Sequence, residues 1–388
     1  MGVGKRTDPR FVLLASVGVL LGGPALALQP MDPVRIDEVN YDPPESPEEP
    51  FEFVELYNAG CDPVYLDGAV ISDEGNSGVA EASFKFPGTP GGTQIPLAAH
   101  GYLLLVGDAT GSSYPGIGWE FYAGGADSDN PAVPNLVKTA GSASDLQLGN
   151  TGDGLTLSVG ITTGLVIPCS EIVDGVSWEN GGAPDITALS RTMCSDPQPH
   201  PGITNTMESM QRCPGATDSD QGSALDFGIG LRTPGVANVV TTPPPNCSPL
   251  GGVPADFHLL AGSGGITPWE SIYRVEIDAQ GCGEFRSADP TARAADSWTT
   301  TARFQVSPAG MADLWNTIQA NGFFGLPSPI CEPLKHDGWY ADMIIQGGGN
   351  TKRVTCQNIS PQTFDNIGRK INEETPPGQG LIYGTVHP

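Results

Sequence analysis

The stretch from Phe51 to Asp73, FEFVELYNAGCDPVYLDGAVISD, constrains the fold of this chain more than any other. In its first half, aromatic and aliphatic residues nearly alternate with Glu52 and Glu55, which is the period of a half-buried β-strand. Asn-Ala-Gly at 58–60 predicts a turn, since these residues tolerate left-handed backbone angles, and the apolar run that ends at Ile71 predicts a second strand. On this pattern the two glutamates face solvent at the edge of a sandwich. A cation site is the alternative.

Motifs on both sides of this stretch occur in a fixed order: VRIDEVNYDP, EFVELYNAG, VYLDGAVISD, IPLAAHGYLLLVGD, GNTGDGLTLSV, IVDGVSWENG, SMQRCPGATDSDQGSALDF and RTPGVAN. Together they resemble the lamin-tail domain, which is found in nuclear lamins and in many exported bacterial proteins. The resemblance implies an immunoglobulin-like antiparallel β-sandwich at residues 28–238. The family brings no catalytic residues, and none are assigned here.

The N-terminus has the pattern of an export signal. Lys5 and Arg6 precede an apolar run from Phe11 to Leu21, and Ala-Leu-Ala at 25–27 has the form of a cleavage site. We therefore expect residues 1–27 to be a signal peptide and the mature chain to be secreted, periplasmic or extracellular. No later run is apolar enough to cross a bilayer, so no membrane span is expected once the signal is removed.

The composition agrees with export and excludes one class of partner. The chain has 52 Gly and 37 Pro among 388 residues, which is typical of many short strands joined by turns. Its formal net charge of −26 repels phosphate polymers, so nucleic acid is not expected as a partner. The oligomeric state does not follow from the sequence.

Residues 239–255 are rich in proline and predict an extended linker. Residues 256–388 then predict a smaller α+β domain with the order β-β-β-α-β-β-α. Ser307 and Pro308 have the pattern of an N-cap and a first helical residue, and a second helix is expected to begin at Pro361. This part resembles small exported bacterial domains of unassigned function, a resemblance that brings no mechanism. The fold class predicted for the whole chain is mainly β.

The eight cysteines predict disulfides, as expected for an exported chain. Four lie in the predicted sandwich and four beyond it, which favours bridges that stay within each domain. The pairs that we favour are Cys61 with Cys169, Cys194 with Cys213, Cys247 with Cys282, and Cys331 with Cys356. The sequence alone allows three connectivities in each set of four.

Two stretches are weak candidates for binding. Residues Gly107–Ser144 predict a long insertion whose large residues are Trp119, Phe121 and Tyr122. These three either cap the sandwich core or form a ligand platform.

The second candidate is TDSDQGSALDF, where Asp218, Asp220 and Asp226 begin like a calcium loop but lack the glutamate at its twelfth position, where Ile229 stands. Turn chemistry is the favoured explanation of these residues. Calcium is the alternative, and no other cofactor is indicated.

The sequence contains no catalytic motif that we recognise. We therefore expect a non-catalytic exported protein whose sandwich contacts a protein or a cell-surface ligand. In one alternative, the C-terminal domain is an inhibitor or ligand-binding domain. In another, the protein is a hydrolase whose site is assembled by folding; His336, five residues after Cys331, is the best-placed histidine for it.

Overall fold

The computed structural model describes the chain from residue 31 to residue 379, with gaps. The described residues are 31, 33–45, 51–75, 79–112, 114–121, 129–141, 148–150, 152–159, 171–179, 200–203, 207–212, 222–244, 253–254, 256–265, 272–288, 298–331, 339–357, 361–377 and 379. The predicted signal peptide at 1–27 lies outside them. No helix within the described ranges is both long enough and apolar enough to span a membrane.

The first part of the chain is built from short strands. In chain order they are β1 (Val34–Asn40), β2 (Phe53–Asn58), β3 (Val64–Tyr65), β4 (Ala69–Gly75), β5 (Val79–Lys85), β6 (Pro96–Leu97), β7 (Tyr102–Val106), β8 (Ile117–Glu120), β9 (Val137–Gly141), β10 (Gly152–Val159), β11 (Ile172–Glu179), β12 (Glu208–Arg212), the one-turn helix α1 (Ser223–Asp226), β13 (Phe227–Leu231) and β14 (Val240–Thr242).

These strands form two main sheets. The first has the order β14-β13-β12-β1-β2-β7-β8, and the second has the order β11-β10-β4-β5-β9. All neighbours pair antiparallel except β7 and β8. Apolar side chains from both sheets, among them Leu56 and Ile71, form one buried core, in which Tyr41 stacks on Trp178 with ring centroids 4.6 Å apart.

The stretch that begins at Phe51 supplies a central strand to each of the two main sheets. β2 lies between β1 and β7, and β4 lies between β10 and β5. The second predicted strand is split, because β3 pairs with β6 in a separate two-stranded sheet and β4 belongs to the second main sheet. The Asn58 side chain anchors the predicted turn: its Oδ1 accepts a hydrogen bond from Gly60 N at 2.9 Å, and its Nδ2 donates to Asp62 O at 2.9 Å.

The second part has seven strands and two helices among its described residues. They are β15 (His258–Gly265), β16 (Ile272–Asp278), β17 (Cys282–Ala288), β18 (Trp298–Gln305), α2 (Pro308–Ala320), β19 (Ile330–Cys331), β20 (Trp339–Gly347), β21 (Asn350–Gln357) and α3 (Gln362–Glu374). The strands form one sheet in the order β18-β17-β16-β15-β20-β21-β19. Both helices contribute to a second buried core, separate from that of the sandwich.

The helix prediction for this part is confirmed in detail. Ser307 Oγ accepts a hydrogen bond from Gly310 N at 3.0 Å, so Ser307 is the N-cap of α2 and Pro308 its first residue. The buried face of α2 contains Met311, Leu314 and Ile318. The spacing of these residues by three and four places them on one face of a helix, and this is the face that is buried in the second core.

The structure corrects three boundaries. The glycine-rich residues 262–265 have the composition of a turn after a short strand, but they are part of β15, which pairs along its length with β16 and β20. The predicted linker begins too early, because β14 extends the first sheet into it. The predicted insertion Gly107–Ser144 contains two strands, β8 and β9. The predicted fold class is confirmed: an antiparallel, mainly β sandwich is followed by a smaller α+β part.

Candidate functional site

A disulfide bond joins the two parts of the chain. Cys61 lies in the turn after β2, and Cys282 is the first residue of β17; their sulfurs are 2.12 Å apart and their Cα atoms 5.5 Å apart. The bond links residues 221 positions apart and connects the units that contain the two cores. We call Tyr57, Cys61, His100, Cys282 and Gln305 the junction site.

Two tight turns present the sulfurs. The Asn58 side chain described above fixes the turn that contains Cys61. On the other side, Asp278 Oδ1 accepts a hydrogen bond from Cys282 N at 2.8 Å, and Gly281 adopts a φ of 82° that a side chain would strain. Both cysteines remain partly exposed. The bond therefore lies at the surface, outside both cores.

His100 lies against this bond. It occupies a turn with a φ of 52°, uncommon for a residue other than glycine, and its backbone N–H donates to Asn58 O at 3.0 Å. Its Nε2 is 3.1 Å from Cys282 Sγ, and its Nδ1 is 3.1 Å from Tyr57 Oη. Partial burial lowers the pKa of His100, although the negative charge of Asp278 acts to raise it. Burial raises the pKa of Tyr57 to about 12.

The tautomer of His100 follows from its two partners. A disulfide sulfur carries no proton, so the contact with Cys282 Sγ is a hydrogen bond only when Nε2 carries the proton and donates it. Nδ1 then accepts from the Tyr57 hydroxyl, which retains its proton because its pKa is raised. The neutral ring thus directs an N–H group at one sulfur of the bond.

The other sulfur has a different neighbour. Gln305 Oε1 is 2.8 Å from Cys61 Sγ and 3.9 Å from Cys282 Sγ. The Gln305 amide is oriented by its Nε2, which donates to Gln280 O at 2.8 Å. One sulfur therefore faces a carbonyl oxygen and the other faces an N–H donor, which makes the bond electrostatically asymmetric.

Cys61, His100 and Cys282 also bring three metal-ligand atoms within 4.8 Å of one another. A zinc site of cysteine and histidine needs deprotonated thiolates. Here the two sulfurs are bonded to each other, and the tautomer derived above directs a proton, not a lone pair, at them. The arrangement fits a disulfide with a hydrogen-bonded histidine and does not fit a metal.

The expected solvent-facing position of Glu52 and Glu55 is wrong. Glu55 is 0% and Glu52 8% exposed. Glu55 is covered by residues 233–238, which donate hydrogen bonds to this face of the sheet. Gly235 N donates to Glu55 Oε2, and Thr233 N donates to Glu38 Oε1 at 3.0 Å. Burial raises the pKa of Glu55 to about 9, although the hydrogen bond from Gly235 acts to lower it.

The calcium alternative receives no support from the residue that the structure describes. Asp218 and Asp220 lie outside the described residues. Asp226 ends α1, is buried, and forms an ion pair with Arg212 at 3.9 Å. Arg212 is itself 1% exposed and donates to Asp174 Oδ1 at 2.7 Å. The Asp226 carboxylate is thus part of a buried charge cluster of the sandwich.

Of the two roles considered for the insertion's aromatic residues, the structure shows core packing. Phe121 is 1% exposed and meets Phe84 edge-on, with ring centroids 5.3 Å apart. Trp119 packs against Phe86 at 5.4 Å. Neither forms an open ligand platform, and Tyr122 lies outside the described residues.

The bridge between Cys61 and Cys282 overturns two expected pairs, Cys61–Cys169 and Cys247–Cys282, and with them the rule that bridges stay within a domain. Cys169, Cys194, Cys213 and Cys247 lie outside the described residues, so Cys194–Cys213 stays a prediction. The Cys331–Cys356 pair also stays a prediction. The loop of Cys331 does fold back beside the return strand as expected, since β19 pairs parallel with β21 and Cys331 lies next to Gln357.

The junction site could not be predicted from the sequence because its members are far apart in the chain. The motif Ala-Ala-His-Gly-Tyr marks a turn at His100, but Cys282 is 182 positions further along. His336, the histidine singled out instead, lies outside the described residues. One local signal was present: both cysteines are flanked by glycine in turn sequences, Gly60-Cys61 and Gly281-Cys282-Gly283, as suits sulfurs presented at a surface.

Comparisons with known proteins add little. No family model matches the chain, and no curated protein matches it. Among solved structures, the chain is similar to the crystal structure of a DUF4876 family protein from Bacteroides thetaiotaomicron, with a TM-score of 0.40 and 16% sequence identity over 54% of this chain and 72% of that one. The lamin-tail resemblance stays a prediction.

Proposed function

We propose that this is a non-catalytic exported protein that presents its lamin-tail-like sandwich and its α+β unit together to a protein or cell-surface ligand. The observation that carries the proposal is the Cys61–Cys282 bond. Disulfides persist in oxidising compartments, which agrees with the export signal in the sequence. The bond also fixes the two units relative to each other, as a binding protein with a composite surface requires.

The sandwich has an apolar segment at its surface. Leu231, Val236 and Val239 are 60%, 58% and 63% exposed and lie within nine residues at the edge of the first sheet. Single exposed apolar side chains are ordinary, but three of them in one short segment make it the candidate contact surface of the sandwich. We therefore expect this segment to contact a protein ligand.

One cluster of carboxylates is enclosed in the sandwich. Asp37, Asp174 and Asp226 are each less than 5% exposed and lie around Arg212 inside the sandwich. This cluster therefore does not support hydrolysis, because a hydrolytic carboxylate must reach substrate and water.

The test is capture of partners by the immobilised mature protein from surface and secreted fractions of its source. The wild-type protein is compared with Val236→Ser/Val239→Ser and with Asp62→Asn, a matched control that changes an exposed side chain at the junction. We expect the valine variant to lose a partner that both other proteins retain. A partner retained by all three proteins contradicts the assignment of the surface and favours the α+β unit as the ligand-binding part.

A further inference from the structure

The asymmetric surroundings of the Cys61–Cys282 bond determine how it can react. In thiol–disulfide exchange a thiolate attacks one sulfur, and the other leaves as a thiolate. The better leaving group is the sulfur whose negative charge is stabilised. Here that sulfur is Cys282 Sγ, because His100 Nε2 lies 3.1 Å away with its proton directed at it.

The same geometry disfavours charge on Cys61. Gln305 Oε1, 2.8 Å from Cys61 Sγ, would repel a thiolate there. The distances from this oxygen to the two sulfurs place it beside the sulfur–sulfur axis, so it does not block an in-line approach to Cys61. Cys61 is partly exposed, and Asp62 and Pro63, which follow it in the turn, are exposed, so this side of the bond is open to solvent.

We propose that Cys61 is a site of S-thiolation, at which a low-molecular-weight thiol exchanges into the Cys61–Cys282 disulfide and Cys282 is the leaving sulfur. The external thiolate forms a new bond to Cys61 Sγ as the Cys61–Cys282 bond breaks. The electron pair of the broken bond passes to Cys282 Sγ, where His100 Nε2–H hydrogen-bonds the new thiolate. The external thiol is oxidised to a mixed disulfide while Cys282 is reduced, so no other oxidant is needed.

His100 acts here as a positioning residue, and Tyr57 acts through it. The Tyr57 hydroxyl donates a hydrogen bond to His100 Nδ1 at 3.1 Å. Because Nδ1 accepts this bond, the ring proton is on Nε2, the nitrogen that faces Cys282. The proposal does not rest on the binding function proposed above. It concerns the chemistry of the junction and would hold for any role of the protein.

The test uses the full mature chain in its oxidised form with reduced glutathione as the probe. The reaction is quenched with acid, free thiols are alkylated, and peptides are mapped by mass spectrometry without reduction. We expect glutathione on the peptide that contains Cys61 and the alkyl group on Cys282. An adduct that is mainly on Cys282, evenly divided, or absent from both overturns the proposal.

A pair of histidine variants tests the role of His100. His100→Asn keeps a residue that tolerates a positive φ but removes the ring N–H, and we expect it to slow formation of the Cys61 adduct about tenfold. His258→Asn makes the same change at a partly exposed histidine in β15, which contacts Glu276 of β16, and should leave the rate unchanged. Equal rates for wild type and His100→Asn would refute the part assigned to His100. The position of the adduct in the wild-type protein tests the site independently of either variant.

Discussion

Removing the bond between the two units should lower the stability of the chain by an amount that the structure allows us to estimate. The change is Cys61→Ser together with Cys282→Ser, which leaves no unpaired thiol at the junction. The bond closes a loop between residues 221 positions apart. The chain-entropy relation for a loop of this length gives about 5 kcal/mol of stabilisation against complete unfolding.

The same bond should contribute less against separation of the folded units. When both cores are intact, the segment that the bond closes is the connection from Thr242 to His258, about 15 residues. A loop of this length corresponds to about 3 kcal/mol. The exposed ion pair between Asp62 and Arg303, at 2.8 Å, adds at most about 1 kcal/mol to the docking. The crosslink is therefore the larger of these two contributions.

Urea unfolding measures the first quantity. Tryptophan fluorescence reports both cores, since Trp178 is buried in the sandwich and Trp315 packs in the second core. We expect the double serine variant to unfold at a lower urea concentration than wild type, with a larger dependence of the free energy on urea because its unfolded chain is less compact. Small-angle scattering of the folded variant should show a larger radius of gyration.

The controls separate the bond from its surroundings. Asp62→Asn should change the free energy of unfolding by less than about 1 kcal/mol, because its ion pair is more than half exposed. Non-reduced peptide mapping of the wild-type protein should recover Cys61 joined to Cys282. A loss below about 1 kcal/mol in the double variant, with the bond shown to be present in wild type, would refute the loop-entropy argument.

Three further predictions test the sandwich and the export signal. Burial raises the pKa of Glu55 to about 9, so between pH 4.5 and 9 the folded protein holds a proton on Glu55 that the unfolded chain has released. The free energy of unfolding therefore falls as the pH rises towards 9. In urea unfolding between pH 7 and 9, Glu55→Gln should make this fall smaller by about 1.4 kcal/mol per pH unit. Arg212→Met should lower the free energy of unfolding by about 3–5 kcal/mol because it leaves Asp174 buried without its cation, while Arg286→Met, at a partly exposed pair, should cost less than about 1 kcal/mol. Mass spectrometry of the secreted protein should find cleavage after Ala27, and an intact Met1 would contradict the predicted signal.

Local sequence patterns predict those helices and hairpins whose conformation depends on interactions between residues close together in the chain. The N-cap at Ser307 and the apolar face of α2 follow from short-range chemistry. The hairpin of β20 and β21 is likewise marked by glycines around residue 348. β15 was only partly recognised because its glycine and serine residues have low strand propensity, and its conformation is fixed by pairing with β16 on one side and β20 on the other.

Burial and crosslinking depend on distant parts of the chain, and there the sequence pattern failed. Glu55 has the alternation of an exposed strand residue, and it is buried because residues 233–238, about 180 positions later, cover it. The expected pairing of Cys61 rests on the premise that each domain closes its own disulfides, because a bridge across a flexible connection requires the two units to dock. The units meet, and turns such as those at Asn58 and Asp278 bring the sulfurs together.

The position of the crosslink determines what its opening can change. Cys61 lies in a turn and Cys282 begins β17 directly after a turn, both outside the two cores, so exchange at Cys61 should leave the packing of each unit intact. The Asp62–Arg303 pair across the junction is exposed and therefore weak, so the protein should convert from one body to two tethered units. A ligand that contacts both units should then bind less tightly, because the second contact must be re-formed at the effective concentration set by the connection. A ligand that contacts the sandwich alone should bind both forms equally. Comparing capture by the oxidised protein and by the double serine variant therefore shows whether the ligand surface is composite, and equal capture by both would exclude it.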